Sequence, residues 1–296
     1  MPVQFRKITI IGVGLLGGSI GIAARKRRLA GEVAGYVRRA QTLAECEKFG
    51  ATDFATADLL AAVSGADLVI LCTPLAQMPL LAECFLPALK RGAIVTDVGS
   101  VKAGVVRELE ALVKKAGAHF VGSHPMAGAE KTGVSAAREN LFQNAVCVLT
   151  PGRRTNAAAL RKLERFWKSL GCRTLKLDAA QHDLAVSRSS HLPHVVAAAL
   201  AGLVLDPKSP RSQSQLCATG FRDSTRIASG SPEMWRDISL ANRKNISHSI
   251  DAFIKELKRF QGALKKDDAA AVEKFFASAK ARRDQWLAKT TSVSTE

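Results

Sequence analysis

Residues 8–17 constrain the fold of this chain more than any other stretch. The apolar run Ile8-Thr-Ile-Ile11 is typical of a buried strand, and Gly12-Val-Gly-Leu-Leu-Gly17 follows it at once, before a helix. In such a strand–turn–helix unit, Gly12 makes the tight turn, Gly14 lets a pyrophosphate approach the backbone, and Gly17 allows close helix–strand packing. The helix N terminus supplies free N–H groups and a partial positive charge. We therefore predict a dinucleotide-binding site at Gly12, Gly14, Leu15, Leu16 and Gly17; the alternative is an ordinary glycine-rich turn.

The end of the second predicted strand indicates which dinucleotide is bound. Val33-Ala-Gly-Tyr-Val37 ends about twenty residues after the glycines, where proteins that use NAD usually have an acidic residue for the ribose 2′-hydroxyl. This chain has Val37, Arg38 and Arg39 instead. Two guanidinium groups suit a 2′-phosphate. The residues therefore predict NADP, with NAD as the alternative if both arginines only face solvent.

Strand-like and helical segments alternate up to residue 178. The runs at residues 67–74 and 93–98 are mostly apolar, as expected for a parallel sheet covered on both faces. Thr73 and Pro74 end the first run where the nicotinamide half of a dinucleotide would lie. From Asp178 onwards the pattern is helical only. We predict an α/β Rossmann-type nucleotide-binding domain over residues 1–178, followed by an all-α domain over residues 179–296.

The stretch Val121-Gly-Ser-His-Pro-Met-Ala-Gly-Ala-Glu130 is the candidate catalytic segment. A short apolar strand over residues 118–121 precedes it, and we expect a polar loop to follow. Pro125 biases the backbone of His124 towards extended geometry. His124 lies between the nucleotide-binding half and the helical half, so the predicted loop should lie where the two meet. A purely structural histidine is the alternative.

A polar stripe on an otherwise apolar helix indicates a second part of the site. Asp178 is a suitable N-cap for this helix, and Ser187, His191 and His194 fall on one face at helical spacing. Pro193 should kink the helix beside them. His194 is the candidate binding residue. The alternatives are satisfied core histidines, or a metal at His-x-x-His, for which a third ligand is lacking.

The net charge of +17 permits two interpretations. Clustered Lys and Arg can bind nucleic acid, but here they occur in small scattered groups on helices that also have apolar faces. A solvated basic surface that attracts small anions is the favoured interpretation. We see no secretory signal, and the longest apolar run, residues 195–205, is too short to cross a bilayer. The six cysteines form no CxxC pair, so we expect a reduced, cytoplasmic protein.

Two apolar seams in the last third of the chain predict self-association. The first contains Ile246, Ile250, Phe253, Leu257, Phe260 and Leu264, and the second contains Val272, Phe275, Phe276 and Ala279. Both have helical spacing, which indicates core or dimer faces. We therefore expect a homodimer formed through the helical half.

These motifs together resemble the prephenate dehydrogenase family, which includes arogenate and cyclohexadienyl dehydrogenases. The matching stretches are Gly12-Val-Gly-Leu-Leu-Gly-Gly-Ser19, Thr96-Asp-Val-Gly-Ser-Val-Lys102, His124-Pro-Met-Ala-Gly-Ala-Glu130, Asn140-Leu-Phe142, Ser190-His-Leu-Pro-His194 and Gly220-Phe-Arg-Asp-Ser-Thr-Arg226. They occur in the family's order over most of the chain. The resemblance implies a Rossmann-type domain, a helical dimerisation domain and oxidative decarboxylation of prephenate to 4-hydroxyphenylpyruvate, a step of tyrosine synthesis that needs no metal.

The resemblance also implies roles for individual residues. His124 would accept the proton of the substrate's C4 hydroxyl, and Ser100 would orient that hydroxyl. Arg226 would hold the dianionic substrate. His194, Glu130 and Asp223 would line or gate the pocket, and Trp235 would close it.

The chain departs from the family pattern in two places. Ala129 stands where many members have Thr, and the second strand lacks the acid of NAD-using members. Prephenate and arogenate differ only in a keto or an amino group, and Glu130, which occurs in prephenate-using members, favours prephenate. Two other classes stay open: another Rossmann dehydrogenase acting on a hydroxy acid, and a non-catalytic nucleotide- or nucleic-acid-binding protein.

Overall fold

The structure, a computed structural model, describes residues 3–129 and 131–292. Its first sheet has six strands, all parallel, in the order β3-β2-β1-β4-β5-β6. These strands are β1 (Phe5–Ile11), β2 (Ala30–Tyr36), β3 (Phe54–Thr56), β4 (Leu68–Leu71), β5 (Ile94–Asp97) and β6 (His119–Phe120). The helices that connect and follow them are α1 (Leu15–Lys26), α2 (Ala40–Lys48), α3 (Leu59–Val63), α4 (Met78–Phe85), α5 (Ala103–Lys115) and α6 (Ala157–Ser169). The predicted Rossmann-type fold is confirmed.

Successive residues of the central strands enter two different hydrophobic cores, one on each face of the sheet. In β4, Leu68 and Ile70 belong to one core, while Val69 and Leu71 belong to the other. All four β4 residues are buried, which explains why the strand is continuously apolar in sequence. The sheet is thus covered by helices on both faces, and its functional residues lie at strand ends.

The strand order reverses between β1 and β4. From β1 the chain proceeds outwards to β2 and β3, then crosses back so that β4 pairs on the other side of β1. Ligands of open α/β sheets bind at such a reversal, beyond the carboxyl ends of the strands. Gly12 follows β1 at this point, and Cys72 and Thr73 follow β4.

His124 lies in a strand, so the prediction of a loop at this position is wrong. Gly122–Pro125 forms β7, the antiparallel neighbour of β8 (Val146–Thr150), which pairs in parallel with β9 (Arg173–Lys176). His124 is opposite Val148 in this separate three-stranded sheet. Pro125 is tolerated because, among the described strands, β7 is an edge strand with β8 as its one neighbour.

The helical part begins at the predicted cap. The Asp178 carboxylate accepts hydrogen bonds from Ala180 N (2.8 Å) and Gln181 N (3.4 Å) at the start of α7. The helices here are α7 (Ala179–Val186), α8 (Leu192–Val204), α9 (Arg211–Gln215), α10 (Thr219–Thr225), α11 (Pro232–Ala241), α12 (Arg243–Lys265) and α13 (Ala269–Ser292).

A π-helical turn, Ser187–His191, lies directly before α8, beside the position where a kink is predicted at Pro193. The N–H of Leu192 donates to the carbonyl of Ser187, five residues back, which widens the helix by one residue. Pro193 lies in the first turn of α8. A proline ring clashes with the carbonyl four residues earlier and lacks an N–H, so the wider turn relieves both problems.

The chain forms two compact units, residues 1–242 and residues 243–296. The second unit is a hairpin of α12 and α13, in which the ring of Phe260 lies 4.8 Å from that of Phe275 and 5.6 Å from that of Phe276. The predicted division at residue 178 stays a prediction. In the described ranges, every helix is too short or too polar to span a membrane.

Candidate active site

Four of the predicted site residues line one cavity of about 260 Å³. Ser100, His124, His194 and Trp235 all line it, and all belong to the first compact unit. Ser100 follows β5, His124 is in β7, His194 is in α8 and Trp235 is in α11. His191, which the sequence analysis placed on the polar stripe without a role, also lines the cavity. The structure therefore brings together residues that are far apart in sequence.

His124 is held by a buried hydrogen-bonded chain. Its Nδ1 lies 2.8 Å from Nε2 of His182, and Nδ1 of His182 lies 2.8 Å from Oδ1 of Asp183. The Asp183 carboxylate also accepts hydrogen bonds from Lys102 N (2.7 Å) and Ala103 N (2.8 Å) at the beginning of α5. The exposed fraction is 7% for His124, 0% for His182 and 3% for Asp183. Tertiary contacts thus fix the His124 ring at the cavity wall.

A fully buried ion pair lies close to these hydrogen-bonded residues. The Nζ of Lys102 contacts Oδ2 of Asp97 and donates a hydrogen bond to the carbonyl of Ser123 (2.8 Å). Burial lowers the pKa of Lys102, and the charge of Asp97 opposes that change. Ser123 N donates to Oδ1 of Asp97 (3.3 Å), so the pair connects the end of β5 to the strand that carries His124.

The surroundings of the cavity favour neutral histidines. Burial, followed by the positive charge of Lys102, lowers the pKa of His124 well below 6.5. Burial also lowers the pKa of His191, to about 4. A neutral imidazole retains a lone pair, so His124 has the protonation state that a general base requires.

His194 and Trp235 form an aromatic wall of the cavity. Their ring centroids are 3.9 Å apart, and Nδ1 of His194 lies 2.9 Å from the carbonyl oxygen of Ser190. Gly230 packs against the indole, because a Cβ atom there would lie only 2.6 Å from Nε1 of Trp235. The wall therefore depends on a glycine in the turn before α11.

The glycine turn has room for a pyrophosphate at the predicted position. Gly12 has φ +95°, and a Cβ atom there would lie 2.9 Å from the carbonyl oxygen of Cys72. At Gly17 a Cβ atom would lie 2.2 Å from the Gly12 oxygen, whereas nothing lies within 4 Å of the corresponding position at Gly14. The first turn of α1 starts at Leu15 and Leu16 and contains no acidic side chain. These features fit an anionic group at the helix N terminus.

The other predicted cofactor residues follow β2 and β4, the two strands that flank β1. Thr73 follows β4, and its hydroxyl oxygen is buried without a hydrogen-bond partner in the described part of the chain. It is thus available to a bound dinucleotide. Pro74 is next to it and exposed. Arg38 and Arg39 follow β2 and are both exposed, while Val37 is buried.

Comparison with known proteins connects these features to a family. The model of the prephenate dehydrogenase nucleotide-binding domain matches residues 20–176, and that of the prephenate dehydrogenase dimerization domain matches residues 178–278. The chain belongs to the prephenate dehydrogenase family. Both matches lie in the order predicted from the motifs.

Individual relatives are similar over nearly the whole chain. Prephenate dehydrogenase of Bacillus subtilis is 35% identical over 94% of this chain and 75% of the relative. Cyclohexadienyl dehydrogenase of Zymomonas mobilis is 36% identical over 94% of this chain and 95% of the relative. A crystal structure of prephenate dehydrogenase from A. aeolicus in complex with hydroxyphenyl propionate and NAD+ is 31% identical, with a TM-score of 0.88 over 95% of this chain and 98% of that chain.

Three of the predicted substrate residues are not placed at the cavity. Arg226 and Asp223 are exposed and do not occur among the described residues that line it. Asp223 is in α10, and Arg226 begins a 3₁₀ turn, Arg226–Ser229, that packs against α8. Glu130 lies outside the described residues. The roles of all three stay predictions.

Sequence reasoning missed the residues that support His124. His182 and Asp183 lie in the helix predicted to start at Asp178, and Asp97 and Lys102 lie in the motif at residues 96–102; the sequence predicts no role for these four residues. The available signal was a His-Asp pair in a helix that also has apolar residues. That signal does not reveal a partner 58 residues away, which is the separation of His124 and His182.

Proposed function

We propose that this chain catalyses the oxidative decarboxylation of prephenate to 4-hydroxyphenylpyruvate, with hydride transfer to NAD(P)+. The observation that carries the proposal is the cavity lined by Ser100, His194 and a buried His124 of lowered pKa, within a member of this family. A hydroxy-acid dehydrogenase is the weaker alternative, because the family match and the cavity support prephenate chemistry together.

The reaction requires removal of a proton from the C4 hydroxyl and of a hydride from C4 itself. His124 accepts the proton of the C4 hydroxyl, and Ser100 orients that hydroxyl. A bound nicotinamide would supply the hydride acceptor for C4, which leaves a ketone at that carbon. The bond between the ring and its carboxylate then breaks, CO₂ leaves, and the electron pair makes the ring aromatic with a phenolate at C4. The proton that His124 accepted returns to this oxygen and gives 4-hydroxyphenylpyruvate. A positioned base is worth roughly 10²–10⁴ in rate.

The topology supports a cofactor and a substrate that meet at one edge of the sheet. Thr73 follows β4 and Ser100 follows β5, and these strands are parallel neighbours with Leu71 opposite Asp97. Their carboxyl ends therefore lie side by side. A nicotinamide near Thr73 and Pro74 would lie next to a substrate near Ser100.

The substrate is held by groups from the helical segments. We assign Arg226 to a substrate carboxylate because a guanidinium binds carboxylate in a bidentate manner. Its turn packs against α8, the helix that carries His194. Trp235 covers the ring of the substrate, and Asp223 and Glu130 line or gate the pocket.

NADP is the proposed cofactor. Val37 cannot bind a ribose 2′-hydroxyl through its side chain, and the exposed Arg38 and Arg39 can donate to a 2′-phosphate. The A. aeolicus relative was crystallised with NAD+. For this chain the residues after β2 favour the phosphorylated form.

The apolar faces of α12 and α13 support a homodimer. Leu257 is 49% exposed, Leu264 56% and Phe276 60%. The family model that covers most of this part of the chain is described as a dimerization domain. A second copy of the chain is the proposed cover for these faces.

The proposed activity is tested with a matrix of prephenate or arogenate, each with NADP+ or NAD+. We expect reduction of the cofactor with prephenate, together with stoichiometric 4-hydroxyphenylpyruvate and CO₂. Faster turnover with arogenate would change the substrate assignment. No reduction of either cofactor with either substrate would contradict the proposal.

A further inference from the structure

We propose that His182 and Asp183 are positioning residues that hold His124 in a single tautomer, with the lone pair on Nε2 directed to the substrate. This inference rests on the proposed function, because it assigns the proton-accepting atom of the same reaction. Three contacts carry it: His124 to His182, His182 to Asp183, and Asp183 to the start of α5.

The direction of the hydrogen bonds is set by the carboxylate. Three N–H groups converge on Asp183: Lys102 N and His182 Nδ1 at Oδ1, and Ala103 N at Oδ2. An ionised carboxylate only accepts hydrogen bonds, so the hydrogen between Asp183 and His182 is on Nδ1 of His182. In this proposal the His182 ring is neutral with its one hydrogen on Nδ1, which leaves a lone pair on Nε2.

The same reasoning determines the tautomer of His124. Because Nε2 of His182 accepts, the hydrogen in the 2.8 Å contact is on Nδ1 of His124. The neutral His124 ring then has its lone pair on Nε2. Nδ1 is occupied by His182 while the ring lines the cavity, so Nε2 is the nitrogen that a substrate hydroxyl can reach.

The hydrogen-bonded series His124–His182–Asp183, here called the relay, is held in place at Asp183. The amide nitrogen of Asn242 donates to the carbonyl oxygen of Asp183 (2.8 Å) and lies 3.2 Å from Nδ1 of His191. Asn242 is only 3% exposed. Asp183 is therefore fixed through both its side chain and its backbone. When His124 accepts a proton, the new imidazolium keeps its Nδ1–H bond to His182, and the carboxylate beyond favours the positive charge.

The first test measures the tautomer directly. The chain has six histidines, so a sample labelled with ¹⁵N at histidine gives a small set of two-bond ¹H–¹⁵N correlations. The His124 signals are identified by their loss in His124→Asn. We expect the pattern of a ring protonated at Nδ1 near neutral pH. A ring protonated at Nε2 would overturn the proposal. This readout needs no turnover, so it is separate from a failure of the proposed function.

The second test compares kinetics in two His182 variants. His182→Leu removes the acceptor, so kcat with prephenate should fall roughly 10–10²-fold, a part of the roughly 10²–10⁴ that a positioned base supplies. KM and cofactor affinity should change little. His182→Gln keeps an acceptor oxygen and should retain more activity. His119→Leu, a change at the beginning of β6, is the control for general loss of a histidine.

The decisive readout is non-additivity. In a His124→Asn background, His182→Leu should change kcat by less than about twofold, because the group that it positions is already gone. A full additional loss in the double variant would show a merely structural role. Wild-type kcat in both single His182 variants would also overturn the relay.

Discussion

At the scale of single residues, His124 lies where its charged form is disfavoured. Burial and the Lys102 charge lower its pKa well below 6.5. The base acts when neutral, so kcat/KM should stay level as the pH falls through 6.5 and decrease only at lower pH. The folded pKa is below the unfolded value, so this group also costs stability as the pH falls below 6.5.

The pH profile of kcat/KM with saturating cofactor checks this prediction. The acidic limb should have an apparent pKa below 6.5, and unfolding should be followed in parallel at each pH. An apparent pKa of 6.5 or higher for the acidic limb, measured while the protein is folded, would contradict the described environment of His124.

Arg226 gives a second prediction at the residue scale. Arg226→Lys should raise KM for prephenate sharply, because an ammonium group cannot bind a carboxylate in the bidentate manner of a guanidinium. The loss of one charged hydrogen bond costs about 1.5–3 kcal/mol. Arg222→Lys, in the preceding helix α10, is the matched control. Equal KM values in wild type and Arg226→Lys would remove Arg226 from substrate binding.

At the scale of elements, the proposed preference for NADP+ rests on the residues at the end of β2. We expect a higher kcat/KM with NADP+ than with NAD+. Val37→Asp should reverse or abolish this preference, because a carboxylate attracts the 2′-hydroxyl and repels the 2′-phosphate. Val37→Asn separates the two effects, because its amide can bind the 2′-hydroxyl but, having no charge, does not repel the 2′-phosphate. Val37 is buried, so thermal unfolding must confirm that each variant is folded.

A wild-type preference for NAD+ would contradict the assignment. The exposed Arg38 and Arg39 would then face solvent or stack on the adenine. An unchanged preference in Val37→Asp would place the ribose away from the end of β2.

Elements with strong local patterns could be predicted from the sequence, and others could not. The strand–glycine–helix unit at residues 8–17 and the cap at Asp178 have local signals, and the structure confirms both. β7 is four residues long and contains Gly122 and Pro125, so its pattern is that of a loop. It becomes a strand only through pairing with β8, which is distant in sequence.

The same distinction applies to the site. His124, Ser100, His194 and Trp235 were predicted, and the structure places all four at one cavity. The His182–Asp183 pair and the Lys102–Asp97 ion pair depend on contacts between separate elements. No spacing in the sequence predicts such contacts.

At the scale of the whole molecule, we expect a homodimer. Light scattering should give twice the mass of one chain at micromolar concentration. Leu257→Glu should lower that mass, because it places a charge on the exposed apolar face of α12. Leu80 is 64% exposed on α4, and Leu80→Glu is the control that should leave the mass unchanged. A monomeric wild type would contradict the proposal.

The central claim is that His124 is the base of the reaction, and turnover of His124→Asn tests it most directly. Prephenate turnover is measured at saturating NADP+, and cofactor affinity is measured separately by fluorescence titration. We expect kcat to fall roughly 10²-fold or more, with cofactor affinity nearly unchanged, because the histidine acts in the chemical step. Turnover like that of the wild type would contradict the claim.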